Sequence, residues 1–133
     1  SEKGISGVAA GIVVSTTNSA SRVLLITDIA VRIPVFVLET GEEGICEGNA
    51  DSPHELNLKY IDGSSKIKEG DRIVTSGTAG TFPRGILVGL VTAVKNRGFS
   101  PILTVNVQSA VDISKISHVL VLKTDSSLSN GRE

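Results

Sequence analysis

Tryptophan and methionine are absent from this sequence, and only four aromatic residues occur in 133 positions: Phe36, Tyr60, Phe82 and Phe99. A core without large rings has to be filled by aliphatic side chains, and a stacking platform for nucleotide bases is too poorly supplied to build. A single cysteine, Cys46, excludes an internal disulfide, and no Cys/His cluster is available to hold zinc. Neither sign of charge prevails. Thirteen Lys/Arg against fourteen Asp/Glu leave a net charge of −1, which argues against a nucleic-acid binder. No signal peptide is visible, and no apolar run is long enough to span a bilayer: the longest, Val23 to Leu38, is broken by Asp28, Arg32 and Pro34. The chain opens at Ser1 without Met and enters strand-like sequence within a few residues, which reads as a piece of a longer protein.

What is abundant is β-branched. Sixteen Val and thirteen Ile, in a chain that is 40% apolar and 20% charged, favour strands over helices and a folded body over disorder. Strands are expected over Gly4–Ser15, Val23–Thr27, Arg32–Glu39, Ile45–Gly48, Glu55–Ile61, Arg72–Thr75, Ile86–Val94, Ile102–Val107 and His118–Lys123, with one helical turn at Ser109–Ser117. Pro34 pushes its strand toward an edge or a bulge, and Leu56, Leu58 and Tyr60 share one face at period two. Many short strands with turns every few residues read as an all-β barrel or sandwich. The pattern Gly4-Ile5, Gly7-Val8, strand, polar turn, strand is echoed from Gly85-Ile86 onward. The echo reads either as chance between Val/Ile-rich hairpins or as two related small barrels, each too small to stand alone.

Three chemical readings compete with structural ones. His54, Asp62 or Asp71, and Ser76 stand in the order of a serine-hydrolase triad, but 22 residues leave too few strands to wall a cleft, and Ser76 lacks the Gly-x-Ser-x-Gly setting. The glycines from Gly77 to Gly89 tempt a phosphate-loop reading, yet Phe82-Pro83 interrupts them and a strand follows instead of a helix. They suit positive-φ turns and tight barrel corners. Glu42, Glu43, Glu47, Asp51 and Glu55 gather without the spacing of an EF-hand loop and read as a solvated hairpin tip.

The stretch Ile67 to Val94, with Gly70-Asp71, Val74-Thr75-Ser76-Gly77, Gly80, Phe82-Pro83, Gly85-Ile86, Val88-Gly89 and Val91, resembles the extracytoplasmic part of the bacterial rod shape-determining MreC family. Gly4 to Val8, Val23 to Asp28, Gly44-Ile45 with Gly48, and Val119 to Leu122 agree in order. Ile29 departs where a Pro often follows the Asp, and Ser6 where an apolar residue is common. The resemblance implies two small six- to seven-stranded β-barrel-like domains packed together, the first incomplete here. They would divide at about 66/67 into 1–66, with parts of the interdomain connection, and 67–123, with strands exchanged between the two allowed for, before a disordered tail at 124–133. It also implies a non-catalytic scaffold of the cell-elongation machinery without cofactor or metal, on the periplasmic face of the cytoplasmic membrane and anchored by its parent's helix. The implied partners are the protein itself, as dimer or filament, and a penicillin-binding transpeptidase with other elongation proteins. The alternatives are a trypsin-like β-barrel hydrolase and a generic ligand-binding β module. On this reading Gly70, Asp71, Gly77, Gly80, Phe82, Pro83, Gly85 and Gly89 are structural, with Phe82 either plugging a barrel end or exposed. Ile29, Ile33, Pro34, Val35 and Phe36 are the expected contact patch.

Overall fold

The computed structural model describes residues 7–28, 31–80 and 82–111. Among these residues nine strands follow one another: β1 (Gly7–Val8), β2 (Gly11–Thr16), β3 (Ser21–Leu25), β4 (Arg32–Val37), β5 (Glu43–Asn49), β6 (Ser52–Lys59), β7 (Arg72–Thr75), β8 (Ile86–Lys95) and β9 (Thr104–Ser109). A single 3₁₀ turn, Thr78–Gly80, lies between β7 and β8. The helical turn expected after Ser109, the closing strand at 118–123 and the tail at 124–133 lie outside the described residues, apart from residues 109–111.

Strands β8, β7, β4, β5, β6 and β9 are hydrogen-bonded neighbours in that order, and β9 pairs back onto β8. Six antiparallel joins therefore close a barrel and leave no open edge within it. Along one side of β8, Gly89–Lys95 pair with β9, while Ile86 and Leu87 pair in parallel with β1. The two copies of the sequence echo thus meet here, Gly7 opposite Ile86 and Val8 opposite Leu87.

The interior follows from period-two alternation. Ile33, Val35 and Val37 of β4, Cys46 of β5, Leu56 and Leu58 of β6, Ile73 of β7, Val88 and Val91 of β8, and Val105 and Val107 of β9 form one buried cluster. A barrel of six strands is narrower than the eight-stranded kind whose interior side chains just fill it. Aliphatic chains suffice here, and the buried cluster contains no aromatic ring. Ile61, Ile67 and Leu103 close the end from which the β6–β7 and β8–β9 loops emerge; Ala9, Ile26 and Val31 close the other, with Leu24 and Phe82 partly buried against the cluster. Phe82 therefore sits between the two expected outcomes, half-buried.

Strands pair across the expected boundary at 66/67, β4 with β7 and β6 with β9, and three other expectations are corrected. What lies apart from the barrel is the β2–β3 hairpin, a separate two-stranded sheet turned by Thr17–Ala20. Tyr60 does not continue the face of Leu56 and Leu58. Its backbone is left-handed at φ +73, which reverses the alternation, exposes the ring and turns Ile61 inward. Pro34 lies in an interior strand, with β5 on one side and β7 on the other. Its carbonyl accepts from the Ser76 N–H just past the end of β7. The reciprocal donor that proline lacks is replaced by Arg84, whose Nη1 donates to the Ser76 carbonyl at 3.2 Å. Finally, Ile33 and Val35 are fully buried in the core and offer no surface, while Ile29 lies outside the described residues.

Closure of the barrel is tightest at Gly89. A Cβ there would stand 2.1 Å from the Gln108 carbonyl oxygen across the β8–β9 seam. Gly70 is different, since its φ of +91 faces open space. Gly70→Ala is therefore expected to cost about 1–2 kcal/mol of unfolding free energy, the conformational term alone. Gly89→Val is expected to cost more than Gly70→Ala, or to abolish folding, when both are compared by chemical denaturation. Cys46, fully buried and with its thiol pKa pushed far upward by burial, is expected to resist a thiol reagent until the barrel unfolds.

Candidate contact surface

Two loops converge at the end of the barrel closed by Ile61, Ile67 and Leu103. The first follows β6, the second joins β8 to β9. They are zipped together by main-chain bonds: Gly63 N–H to the Pro101 carbonyl at 2.7 Å, Leu103 N–H to the Ile61 carbonyl at 2.9 Å, and a bridge between Asp62 and Ile102. Gly63 has to be glycine for this approach, because a Cβ would meet the Ser100 carbonyl oxygen at 2.7 Å. The Asn96 carbonyl accepts from the N–H groups of Phe99 and Ser100, rounding the second loop into a tight turn whose Asn96 is left-handed at φ +67.

Arg97 joins the loops from the side. Its Nη1 donates to the Ser65 carbonyl at 2.7 Å and its Nη2 to the Ile67 carbonyl at 2.6 Å. On the first loop, Asp62 accepts from both the hydroxyl and the N–H of Ser64, at 2.6 and 2.8 Å, and Ser65 donates to Glu42. The Ser64 hydroxyl first, and then its N–H, hold the Asp62 carboxyl below the usual carboxylate range.

Apolar side chains are left outside this scaffold. Phe99 is 92% exposed, Tyr60 59% and Ile102 50%. Beside them a shallow depression of about 560 Å³ is lined by Asp62, Gly63, Ser64, Gly98, Phe99, Ser100 and Pro101. Half of the chain's aromatic residues thus stand in water at one end of the barrel, one of them on a left-handed backbone. Strained residues of this kind gather at functional sites. One signal in the sequence pointed here: Phe99 lies in the polar turn Lys95–Ser100, with no apolar neighbour to share a core face.

Of the residues singled out from the sequence, Asp62 lines this depression and Glu42, Gly70 and Asp71 lie at the same end, while the glycine-rich loop lies at the opposite one. Thr75 clasps the glycine-rich loop at its base: its hydroxyl donates to the Pro83 carbonyl at 2.6 Å and accepts from the Ile86 N–H at 2.8 Å. Gly77, Gly80 and Gly85 all have positive φ, and a Cβ on Gly77 would press on Arg84 at 3.1 Å. Phe36 points out of the barrel beside Val74, yet it is only 8% exposed, and the Arg84 guanidinium lies 4.2 Å from its ring centroid. The expected patch around Phe36 is therefore covered. Gly70 and Asp71 turn the chain into β7, with the Asp71 carboxylate accepting from the Lys68 N–H at 3.0 Å and pairing its ammonium at 3.1 Å.

Among the described residues the candidate triad is not brought together. Ser64 engages the Asp62 carboxylate and Lys68 engages that of Asp71, while the Ser76 hydroxyl accepts from the Thr78 N–H. No hydrogen bond among the described residues joins His54 to any of them. Of the acidic stretch, Glu42 is tied to Ser65 and Glu47 to Arg32 and Lys59. No group of three or more His, Cys, Asp or Glu among the described residues is placed to hold a metal ion.

Comparison with known proteins agrees with the barrel. The family described as rod shape-determining protein MreC, barrel core, matches residues 5–123. The cell shape-determining protein MreC of Caulobacter vibrioides is 46% identical over 79 residues, 59% of this chain; the match spans only 22% of that relative's length. The crystal structure of MreC from Pseudomonas aeruginosa superposes with a TM-score of 0.72 at 34% identity, covering 79% of this chain and 67% of that one. A complex between a penicillin-binding protein and MreC from Helicobacter pylori shares the fold, with a TM-score of 0.61 at 24% identity over 77% of this chain and 62% of that one.

Two outcomes follow from the geometry of the barrel end. Phe99→Ser is expected to change the unfolding free energy by no more than about 0.5 kcal/mol, as surface substitutions do. Because the Asp62 carboxyl is held low in the folded chain, its contact with Ser64 is intact above the unfolded carboxylate range near pH ~4 and lost as pH falls through the lower folded value. Chemical shifts of the Ser64 amide should therefore move with that acidic titration and stay still in Asp62→Asn.

Proposed function

The chain belongs to the MreC family of rod shape-determining proteins, and on that premise we propose that it is a non-catalytic scaffold module of the bacterial cell-elongation machinery. In this reading it lies outside the cytoplasmic membrane and binds a penicillin-binding transpeptidase. The observation that carries the reading is the exposed Phe99, Tyr60 and Ile102 cluster, mounted on loops braced by main-chain bonds. Aromatic anchors on a rigid support are what a protein contact of high energy per residue requires. The complex formed by the Helicobacter pylori relative supports a penicillin-binding protein as the occupant. No helix among the described residues is long and apolar enough to cross a membrane. In this proposal a part of the parent protein outside residues 1–133 supplies the anchor.

Self-association belongs to a second surface. On the β2–β3 hairpin, Leu24 turns toward the barrel core while Val23 and Leu25, 46% and 37% exposed, face solvent on the opposite side. This apolar face suits a contact between copies, and the hairpin is proposed as part of the first β-domain that the family resemblance implies.

The test for the transpeptidase contact uses the extracytoplasmic domain of the penicillin-binding transpeptidase from the same genome, immobilised and titrated with this chain. Phe99→Asp is expected to weaken binding at least tenfold, about 1.4 kcal/mol, while Val23→Asp leaves it unchanged and instead shifts sedimentation toward the monomer. Peptide, ester and muropeptide substrates should show no turnover. Turnover abolished by Ser76→Ala would return the hydrolase reading.

A further inference from the structure

Among the described residues, three that are not glycine have a left-handed backbone: Tyr60, Ala79 and Asn96. Asparagine tolerates that region and alanine is small, but a bulky residue there is a genuine outlier. Other positive-φ turns of this chain are given to glycine, as at Gly41, Gly70 and Gly98. Position 60 is held in this conformation by its surroundings and not by its own side chain. The bend turns Ile61 into the core, where it is 1% exposed, and brings its carbonyl within 2.9 Å of the Leu103 N–H. Gly44 lies against the same bend, since a Cβ there would stand 2.6 Å from the Lys59 carbonyl oxygen and 3.3 Å from Ile61 Cδ1. The fold thus asks for glycine or asparagine at position 60, and the sequence supplies tyrosine.

Nothing among the described residues offsets that strain. The ring is 59% exposed and lies outside the buried cluster. Its hydroxyl takes part in no hydrogen bond among the described residues, and no cation lies over the ring. Two positions on, Asp62 bridges Ile102, itself half exposed, so the strained residue belongs to the same barrel end as Phe99.

We propose that Tyr60 is a specificity-determining residue of the transpeptidase contact: a position the fold would fill with glycine carries an exposed ring because that ring meets the partner. The proposal rests on the scaffold reading and adds to it the residue at which stability and recognition pull apart. Strain of this kind persists where the surrounding structure over-determines it, and it gathers where a side chain serves a function other than folding. The bend that buries Ile61 also aims the ring outward, where strand alternation alone would have turned it into the barrel. An aromatic ring suits the role, because it offers a large contact area with only two side-chain torsions to order.

The test separates folding from binding. Tyr60→Gly and Tyr60→Ala both remove the ring and differ only in the Cβ. On an unstrained backbone alanine is the more stable of the pair, because glycine loses more conformational freedom on folding. Here that order is expected to reverse, with a folding equilibrium constant at least threefold larger for Tyr60→Gly by chemical denaturation. A smaller ratio, or the opposite order, overturns the strain argument and the proposal with it. The constant for Tyr60→Gly is also expected within threefold of that of the unaltered chain; a deeper fall makes the ring a structural support and overturns the proposal. Against the same transpeptidase domain, Tyr60→Gly is expected to bind at least tenfold more weakly, while Tyr60→Phe, which keeps the ring, stays within threefold of the unaltered chain. Full affinity in Tyr60→Gly, or a tenfold loss in Tyr60→Phe, overturns the proposal and leaves the scaffold reading in place. A shift of sedimentation toward the monomer in Tyr60→Gly, with transpeptidase affinity unchanged, would assign the ring to a second copy and overturn it as well. If the unaltered chain does not bind the transpeptidase domain, the scaffold reading falls and this proposal with it, even where the order of glycine and alanine holds.

Discussion

The seam between β8 and β9 is the constraint on which the rest depends. A six-stranded sheet that did not meet itself would present two open edges to water and to other chains. It would also leave its interior row of Ile, Val and Leu without the opposite wall that buries them. The seam closes because Gly89 has no side chain and the Gln108 carbonyl can lie where a Cβ would be. The bulge between Val91 and Ala93 on the same strand re-registers the pairing, so that Val91 still points inward and Val94 still packs against the core.

Closure also separates the two ends. At one end, β1 takes the stretch of β8 that β9 does not reach, the hairpin leans in through Leu24, and the Thr75 clasp holds the glycine-rich loop. Polar groups there are used up locally, as when Arg84 serves the carbonyl that Pro34 cannot and at the same time covers Phe36. At the other end the main chain is equally well bonded, but the aromatic side chains are turned out. Firm backbone under exposed rings distinguishes a contact surface from a frayed loop.

Much of the barrel could be read from the sequence because strand alternation is a local property. The expected strand Arg72–Thr75 coincides with β7, and Ile86–Val94 falls one residue short of β8. What misled was local evidence with two outcomes. Period two through Leu56, Leu58 and Tyr60 was broken by one left-handed residue, a conformation the tyrosine code does not announce. A proline in a strand argued for an edge or a bulge, yet the strand lies in register within the wall, where a distant arginine supplies the absent hydrogen bond.

The aliphatic composition, lacking Trp and Met and rich in Val and Ile, determined by itself that this chain is built of strands around a narrow core. The ordered glycine and Phe-Pro motifs determined its family. Both are written in neighbouring residues. Only the tertiary structure decided that β4 through β9 close one barrel across the expected boundary, since pairing partners such as Leu90 and Gln108 are far apart in sequence. It alone decided that Phe36 is covered while Phe99 is bare. Exposure is set by what folds back over a residue, and neither ring's neighbours in the sequence include the group that covers it or leaves it open.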